Sequence, residues 1–344
     1  MQAYSIVFTG KNQVEVQTRD VQDPGPNEVL VQATKTLISA GTERICLLRL
    51  FEPGSHWDAW VKYPFSTGYS MVGRVIAVGG DVTGVREGER VAVRQPHQQY
   101  VVVPFDALYH IPDEVSDEDA AWFGLATIVQ NGVRRAQHIL GEDVVIIGLG
   151  PLGQLVTQYV RLMGARQVIA IDPVEHRLQH AQAFGATATL ALNVDEAHSE
   201  VLKLTDGVGA NIVYDVTGAA TVFAPALRLL RRFGRLVLLG DTGSPSSQHL
   251  VGDVVTKGLT VLGAHDSNPP SLSTDHAYWS RKRMAELFFT YLQRGDMHVS
   301  HLITDRFNPG DAVPAYELLS QGGTSPLGIL FDWTTREGSS TWHT

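Results

Sequence analysis

Apolar and polar residues alternate in short runs along the first third of the chain, and Gly, Pro, Asn and Asp separate the runs. Alternation of this kind predicts short β-strands with one buried face, and several such strands in succession are typical of a small barrel or sandwich. The predicted strands are residues 3–8, 14–18, 28–34, 71–78, 90–93 and 100–103. We therefore expect residues 1–116 to form a β-domain.

From about Asp117 the pattern changes to continuous apolar runs separated by helical segments. The helix after the first run carries an apolar stripe with a 3.6-residue period, from Leu152 to Met163. Continuous apolar strands that alternate with helices predict a parallel sheet covered on both faces. The six predicted strands are 144–147, 168–171, 188–192, 212–216, 236–239 and 259–262, which indicates a doubly wound dinucleotide-binding domain over 117–264.

The last region, residues 265–344, returns to a mixed pattern. It predicts helices over 278–293 and 311–320 and strands over 301–307 and 327–333. The polar tail from residue 334 is expected to be loose.

Composition narrows the class of protein. The 344 residues are 44% hydrophobic and 18% charged, with a formal net charge of −9, so a nucleic-acid partner is not expected. No apolar run approaches the length of a membrane span, and no secretory signal is visible. Cys46 is the only cysteine, which excludes an internal disulfide and a thiolate zinc cluster. We expect a soluble, cytoplasmic protein without membrane contact.

The segment 148–153 matches the pattern G-x-G-x-x-G between a predicted strand and an amphipathic helix. Gly148 permits a tight turn, Gly150 allows a pyrophosphate to approach the backbone, and Gly153 lets helix and strand pack closely. Pro151 and Leu152 begin the helix, whose first N–H groups face the phosphates. The motif predicts a dinucleotide site.

Asp172 ends the next predicted strand, at the spacing of the acidic residue that binds the adenosine ribose. A carboxylate there accepts hydrogen bonds from the ribose hydroxyls and repels a 2′-phosphate, which predicts NAD as the cofactor. The alternative is that Asp172 caps the following helix. Arg177 lies one turn further on, where it is either a cofactor contact or a solvated side chain, and its positive charge leaves NADP open.

Several segments together resemble the medium-chain dehydrogenase/reductase superfamily: Gly88-Glu89-Arg90-Val91, Arg177-Leu178, Asp215-Val216-Thr217-Gly218 and Gly234-Arg235-Leu236-Val237. The resemblance implies an α/β architecture with a GroES-like β-barrel catalytic domain (1–116), a Rossmann domain (117–264) and a C-terminal return to the catalytic domain (265–344). It also implies that Thr217 contributes to the cofactor site and that the protein is a homodimer.

The zinc ligands of that superfamily have no counterparts in this sequence. Where zinc-bearing members have C-G-[ST]-[DE], this chain has Ala40-Gly41-Thr42-Glu43, and where they have G-H-E it has Gly68-Tyr69-Ser70. Phe123 occupies the third ligand position. A catalytic zinc needs about three protein ligands, so the resemblance predicts a zinc-lacking branch with no metal.

Without zinc, other groups must stabilise the reacting oxygen and accept its proton. The resemblance places Thr42, Tyr69 and His265 around one substrate oxygen, with the hydroxyls as hydrogen-bond donors and His265 as the acid/base. Each also has a structural interpretation: Thr42 as a turn residue, Tyr69 as filler where the metal lies in relatives, and His265 as a loop histidine. His97 and Lys62 are weaker candidates, because no spacing positions them.

These observations favour an NAD(H)-dependent, zinc-independent oxidoreductase acting on a small secondary alcohol or ketone, such as a sugar, a cyclitol or a natural-product intermediate. Two alternatives stay open: an NADPH-dependent quinone or enone reductase, and a non-enzymatic nucleotide-binding protein. Asp172 argues against the first, and loss of the metal ligands keeps the second in consideration.

Overall fold

The structure is a computed structural model that describes residues 1–320 and 326–334. The chain forms two compact units. The first comprises Met1–Leu50, His56–Leu125 and Ala285–Thr344, and the second Phe51–Ser55 and Ala126–Met284. The sequence predicts domain boundaries at 116/117 and 264/265, and these boundaries stay a prediction.

The elements of the described residues follow in chain order. The strands are β1 (Gln2–Gly10), β2 (Gln13–Asp20), β3 (Glu28–Leu37), β4 (Phe65–Ser66), β5 (Met71–Val78), β6 (Arg90–Val93), β7 (Tyr100–Pro104), β8 (Tyr109–His110), β9 (Asp143–Ile147), β10 (Gln167–Ile171), β11 (Ala188–Leu190), β12 (Ala210–Asp215), β13 (Leu230–Leu238), β14 (Thr260–Gly263), β15 (Ile303–Phe307) and β16 (Gly328–Asp332). The helices are α1 (Ala40–Leu48), α2 (His56–Trp60), α3 (Asp117–Ala120), α4 (Phe123–Arg135), α5 (Pro151–Leu162), α6 (Glu175–Ala183), α7 (His198–Leu204), α8 (Ala220–Arg228), α9 (Asp253–Thr256), α10 (Arg281–Arg294) and α11 (Ala312–Ser320).

The first unit contains the GroES-like domain. One sheet has the order β2-β1-β4, and a second has the order β15-β16-β3-β5-β6-β8, with β7 also paired to β3. Alternate residues of β3, among them Val29, Val31 and Ala33, point into a core shared with β5, β6 and β7. This is the period of two expected for strands with one buried face. The C-terminal strand β16 pairs antiparallel with β3, so the chain's last segment completes this unit.

The second unit is a Rossmann fold. Its six strands are parallel and have the order β11-β10-β9-β12-β13-β14. All five residues of β9 are buried, as expected for a sheet with helices on both faces. The strand order reverses between β9 and β12, and ligands of such sheets bind at the carboxyl ends of the strands at this point.

The sequence prediction of an α/β fold with these two domain types is confirmed, but four details of it are wrong. Helices α1 and α2 lie in the region predicted to hold only strands. The helix predicted from residue 278 begins at Arg281, and a 3-10 turn occupies Ser300–Leu302 before β15. Strand β13 begins at Leu230, six positions before the predicted start. The predicted loose tail, apart from Thr334, lies outside the described residues.

Within the described residues, none of the helices has the length and apolar character needed to cross a membrane.

Candidate functional site

The glycine-rich loop follows β9 and leads into α5. Gly148 has φ +92°, a conformation that side chains rarely adopt. A Cβ atom at Gly153 would lie 2.0 Å from the carbonyl oxygen of Gly148, so only glycine fits there. Gly150 is the N-cap of α5, and Pro151 takes the first helical position, where its missing N–H costs nothing. The loop and the helix start therefore have the backbone geometry of a pyrophosphate cradle.

Asp172 follows β10 and is only 3% exposed. Its Oδ2 accepts a hydrogen bond from the N–H of Leu149 at 2.7 Å, and its Oδ1 accepts one from the N–H of Val174 at 2.8 Å. The carboxylate thus ties the end of the second strand to the glycine-rich loop. Since each carboxylate oxygen has two acceptor sites, capacity remains for hydroxyl donors.

The alternative role of Asp172 as a helix cap is not what the structure shows. The N-cap of α6 is Val174, and Asp172 instead forms a local turn with the N–H of Val174. Arg177 is not a solvated side chain either, because it is 16% exposed and its Nη1 lies 3.6 Å from Asp172 Oδ2. A cation and an anion are therefore paired at the end of β10.

Thr217 lies beyond the end of β12, the neighbour of β9 on the other side. Its N–H and its hydroxyl both donate to Asp215 Oδ1, at 3.0 and 2.7 Å. A Cβ atom at Gly148 would meet the Thr217 methyl at 2.7 Å, so Thr217 adjoins the glycine-rich loop. Burial raises the pKa of Asp215, although the hydrogen bonds from Thr217 and the Gly218 N–H oppose this. The glycine-rich loop, Asp172 and Thr217 therefore lie at the carboxyl edge of the parallel sheet, where the strand order reverses.

His265 follows β14 in the same unit, and its side chain is 55% exposed. Its Nδ1 accepts from the N–H of Ser267 at 3.2 Å and lies 2.8 Å from the Ser267 hydroxyl. Because the backbone N–H occupies the lone pair of Nδ1, the neutral ring carries its proton on Nε2. Nε2 lies 3.9 Å from Asp241 Oδ2. The imidazole is thus oriented by its own loop and open to solvent.

Thr42 and Tyr69 belong to the first unit. Thr42 is half-buried in the first turn of α1, not in a turn between strands. Tyr69 is also half-buried, and its Oη lies 2.6 Å from the hydroxyl of Ser39. The guanidinium of Arg94 lies 5.0 Å from the centre of the Tyr69 ring. The phenol is therefore held at both its oxygen and its ring face.

Next to Thr42, the Glu43 carboxylate is the centre of a buried network. Oε1 accepts from the N–H of Ser39 at 2.7 Å, and Oε2 accepts from the hydroxyls of Thr67 at 2.8 Å and Tyr316 at 2.5 Å. His97 Nε2 lies 3.2 Å from Oε2, and all of these side chains are at most 5% exposed. The anion is therefore surrounded by donors from four separate segments of the chain.

The network also sets protonation states. Burial alone raises the pKa of Glu43, but the neighbouring His97 and the hydrogen bonds from His97, Tyr316 and the Ser39 N–H lower it below its ordinary value. Burial and the adjacent carboxylate raise the pKa of Tyr316 well above its ordinary value. Glu43 is therefore an anion and Tyr316 a neutral phenol at neutral pH.

The positions that hold zinc in relatives do not fit that metal here. Ala40, at the start of α1, has no donor atom, and Phe123 is fully buried against Tyr109, with ring centres 5.1 Å apart. Tyr69 offers only a phenol that is engaged with Ser39. Since a catalytic zinc needs about three protein ligands of the Cys, His or carboxylate type, these residues supply no zinc site.

The sequence analysis identified neither Ser39 nor Tyr316 as site residues. It treated His97 as a weak candidate because no sequence spacing assigned it a position. Ser39 immediately precedes the Ala40-Gly41-Thr42-Glu43 segment, so its position was the one available signal. Tyr316 lies 273 residues from its partner Glu43 and carries no motif. The structure brings these residues together only through tertiary folding.

Two domain families match the chain. Residues 25–113 match the alcohol dehydrogenase GroES-like domain, and residues 151–277 match the zinc-binding dehydrogenase domain. Among curated proteins, the L-threonine 3-dehydrogenase of Francisella tularensis subsp. mediasiatica is 27% identical over 92% of this chain and 94% of its own. That of Anaeromyxobacter sp. is 26% identical over 91% of this chain and 93% of its own.

Solved structures share the fold over nearly the whole length. A zinc-binding dehydrogenase from Sinorhizobium meliloti, bound to NADP, has a TM-score of 0.80 at 22% identity, and covers 96% of this chain and 99% of its own. An alcohol dehydrogenase from Escherichia coli, in complex with NADH, has a TM-score of 0.78 at 21% identity with the same coverage. The two matched domains, in this order, and the curated relatives support a relationship of this chain to the zinc-type alcohol dehydrogenase-like group of the medium-chain dehydrogenase/reductase superfamily.

Proposed function

We propose that this protein is an NAD(H)-dependent oxidoreductase that interconverts a secondary alcohol and a ketone without a catalytic zinc ion. The observation that carries the proposal is the combination of a glycine-rich loop tied to Asp172 with zinc-ligand positions that hold Ala40, Tyr69 and Phe123. The first feature supports a nicotinamide dinucleotide, and the second supports hydride transfer that relies on the chain's own hydrogen-bond donors.

The preference for NAD(H) rests on Asp172. Its carboxylate keeps acceptor capacity for the two ribose hydroxyls, and a 2′-phosphate beside it meets a like charge. Arg177, paired with the same carboxylate at 3.6 Å, has the opposite effect. Titration of NADH and NADPH by fluorescence should therefore show tighter NADH binding in the wild type. Asp172→Ala should reduce or reverse this preference, and equal affinities in the wild type would contradict the assignment.

A nicotinamide dinucleotide held by the glycine-rich loop, Asp172 and Thr217 would supply the hydride transfer, and the chain's own residues would stabilise the substrate oxygen and manage its proton. We assign Thr42 and Tyr69 as hydrogen-bond donors to that oxygen. His265 exchanges the proton with solvent, which its exposed ring permits. Together these groups take the part that a Lewis-acidic metal plays elsewhere.

A secondary alcohol is the favoured substrate class. The curated relatives carry the name of an enzyme that oxidises position 3 of L-threonine, and that position bears a secondary hydroxyl. Sugars, cyclitols and hydroxylated natural-product intermediates offer the same group. A panel of such polyols, with the matching ketones and with enones and quinones, distinguishes the proposed activity from its rivals.

The site assignment is tested by substitution in the active protein. Tyr69→Phe should lower turnover about a hundredfold, since one lost donor to a developing oxyanion costs roughly 3 kcal/mol. His265→Ala should lower it by about the same factor, because a general acid–base group typically contributes about a hundredfold or more. The affinity for NADH should stay within a factor of two. Tyr100→Phe is a matched control, because Tyr100 is a half-buried tyrosine of the same unit whose hydroxyl contacts Gln32. Unchanged turnover in Tyr69→Phe would remove Tyr69 from the site.

An NADPH-dependent quinone or enone reductase is the second candidate, favoured by the half-buried position of Arg177 beside Asp172. It predicts tighter NADPH binding and turnover of enones or quinones but not of alcohols. A nucleotide-binding protein without activity predicts tight cofactor binding and no turnover across the whole panel.

Zinc independence has its own test. Purified protein prepared without chelators should contain well under one zinc per chain, and dialysis against a chelator should leave turnover unchanged. A full equivalent of zinc that survives dialysis, together with activity lost on its removal, would show that the chain binds a catalytic metal at other residues.

A further inference from the structure

The contact between Ser39 and Tyr69 involves the oxygen that the proposed reaction uses. The two hydroxyl oxygens are 2.6 Å apart, and either can be the donor. Ser39 is 5% exposed, so water does not compete freely for its hydroxyl. It is the residue before α1, the helix that also carries Thr42.

Ser39 has little freedom to move. Its N–H donates to Glu43 Oε1 at 2.7 Å, and its carbonyl oxygen accepts from the N–H of Glu43 at 2.9 Å. Glu43 is itself held by Thr67, His97 and Tyr316. The serine backbone is thus fixed by a buried anion, which places the Ser39 hydroxyl within reach of Tyr69 Oη.

Proton counting then determines the direction of the hydrogen bond during the reaction. A phenol has one proton and can donate one hydrogen bond at a time. If Tyr69 donates to the substrate oxygen, its proton is no longer available to Ser39, and the 2.6 Å contact persists only with Ser39 as donor. Without substrate, the opposite direction is equally open.

We propose that Ser39 is a positioning residue for Tyr69, donating its hydroxyl proton to Tyr69 Oη whenever Tyr69 donates to the substrate oxygen. The proposal rests on the proposed function and deepens it. A hydrogen bond donated by Ser39 to Tyr69 Oη polarises the Tyr69 O–H bond. Tyr69 therefore becomes a stronger donor to the substrate oxygen as negative charge develops there. The hydroxyl switches its proton without movement of heavy atoms.

The charged groups around Tyr69 are consistent with this role. The Arg94 guanidinium, 5.0 Å from the ring centre, favours negative charge on the phenol oxygen. The Glu43 carboxylate contacts the backbone N–H of Ser39 and not its hydroxyl, so it fixes the serine without taking the proton that Tyr69 needs.

Kinetics provide the first test. Ser39→Ala should lower kcat about tenfold, the effect of one neutral hydrogen bond, and leave the KM for NADH unchanged. Ser39→Thr, which keeps the hydroxyl, should recover activity. In a Tyr69→Phe background, Ser39→Ala should cause no further loss, because its partner oxygen is absent. The control is Ser5→Ala, a buried serine in β1 whose hydroxyl contacts the Gln17 carbonyl oxygen and which should keep wild-type rates.

A purely structural role for Ser39 predicts a different pattern. Loss of folding stability would lower activity by the same factor in the wild-type and Tyr69→Phe backgrounds. Additive losses in the double variant overturn the proposal.

A second readout needs no turnover. Without the Ser39 hydroxyl the Tyr69 phenolate loses its donor, so its tyrosinate absorbance should appear at higher pH in Ser39→Ala than in the wild type. The Tyr69 signal is the component missing in Tyr69→Phe. A shift without any turnover supports the hydrogen bond and refutes the dehydrogenase proposal. No shift overturns the role of Ser39 whether or not the protein is a dehydrogenase.

Discussion

Acidification from pH 7 to pH 5 should destabilise the Rossmann unit through His138, a histidine that follows α4. Its side chain is 2% exposed. Nε2 lies 2.7 Å from the Tyr214 hydroxyl, and the two rings are stacked with centres 5.9 Å apart. Nδ1 lies 3.6 Å from Glu142 Oε2, and Arg235 contacts the other oxygen of that carboxylate. Burial, reinforced by the charge of Arg235, lowers the pKa of His138 from 6.5 to about 4.

The direction of the effect follows from this depressed pKa. As the pH falls, the unfolded chain takes up a proton on His138 near pH 6.5, and the folded protein does so only near pH 4. Stability is therefore fully present above pH 6.5 and is lost progressively down to about pH 4. Linkage between these two pKa values corresponds to a loss of about 2 kcal/mol between pH 7 and pH 5.

Urea unfolding at pH 7 and pH 5 measures this effect when the wild type is compared with His138→Gln. Glutamine keeps an amide that can bond the Tyr214 hydroxyl but does not titrate, so the contributions of all other groups cancel in the difference. The wild type should lose about 2 kcal/mol more than the variant between the two pH values. If both proteins lose the same free energy of unfolding, His138 is not held neutral by its surroundings and the reasoning is wrong.

Three further predictions concern other parts of the chain. Gly153→Ala should lower the melting temperature and abolish NADH binding, because its Cβ would lie 2.0 Å from the carbonyl oxygen of Gly148. Gly150→Ala has open space around its Cβ, so it should keep the melting temperature and weaken only NADH binding. Thermal melts with and without NADH check both predictions. Tyr316→Phe removes a donor from a buried carboxylate and should cost about 1–3 kcal/mol in urea unfolding, and an unchanged midpoint would contradict an ionised carboxylate there. Arg90→Lys replaces a guanidinium that bridges α3 and three carbonyl oxygens, at residues 112, 113 and 115, and should cost a similar amount, which the melting temperature of the GroES-like unit reports.

The parallel sheet was predictable because its signal is local. Strands β9 and β10 are buried on both faces, so their sequences are continuous apolar runs, and both were predicted to within one residue of their ends. Strand β13 was shortened in the prediction because its first half holds Arg231 and Arg232. Within that half only Leu230 pairs with β12, and a register shift separates it from the regular pairing that begins at Arg235, which the sequence pattern does not show.

Helix α1 was missed for a different reason. Only Glu43, Cys46 and Leu47 are buried in it, and a charged residue among three buried positions hides the apolar stripe. Strands β4 and β8 have two residues each, too few for any period to be visible.

The candidate sites divide in the same way. The sequence could propose the glycine-rich loop and Asp172 as cofactor contacts because a short motif with a fixed spacing indicates them, and Thr217 was proposed from the family resemblance. The network around Glu43 could not, since its donors come from positions 39, 67, 97 and 316 and only the folded chain brings them together. The sequence identified Tyr69 as a candidate, but not Ser39, the hydroxyl on which its orientation depends.

The pairing of β16 with β3 has a consequence for biosynthesis. Residues 330–332 of β16 pair with the edge of β3 at residues 35–37, and the Tyr316 hydroxyl donates a hydrogen bond to Glu43. The ribosome synthesises the whole Rossmann unit before Tyr316 and residues 330–332. The nascent GroES-like unit therefore has an open strand edge, and Glu43 lacks one of its hydrogen-bond donors, while the Rossmann unit can already fold. Open edges recruit other chains. Truncation between the end of the Rossmann unit at Met284 and Tyr316 should therefore yield a chain that aggregates although its Rossmann unit is native.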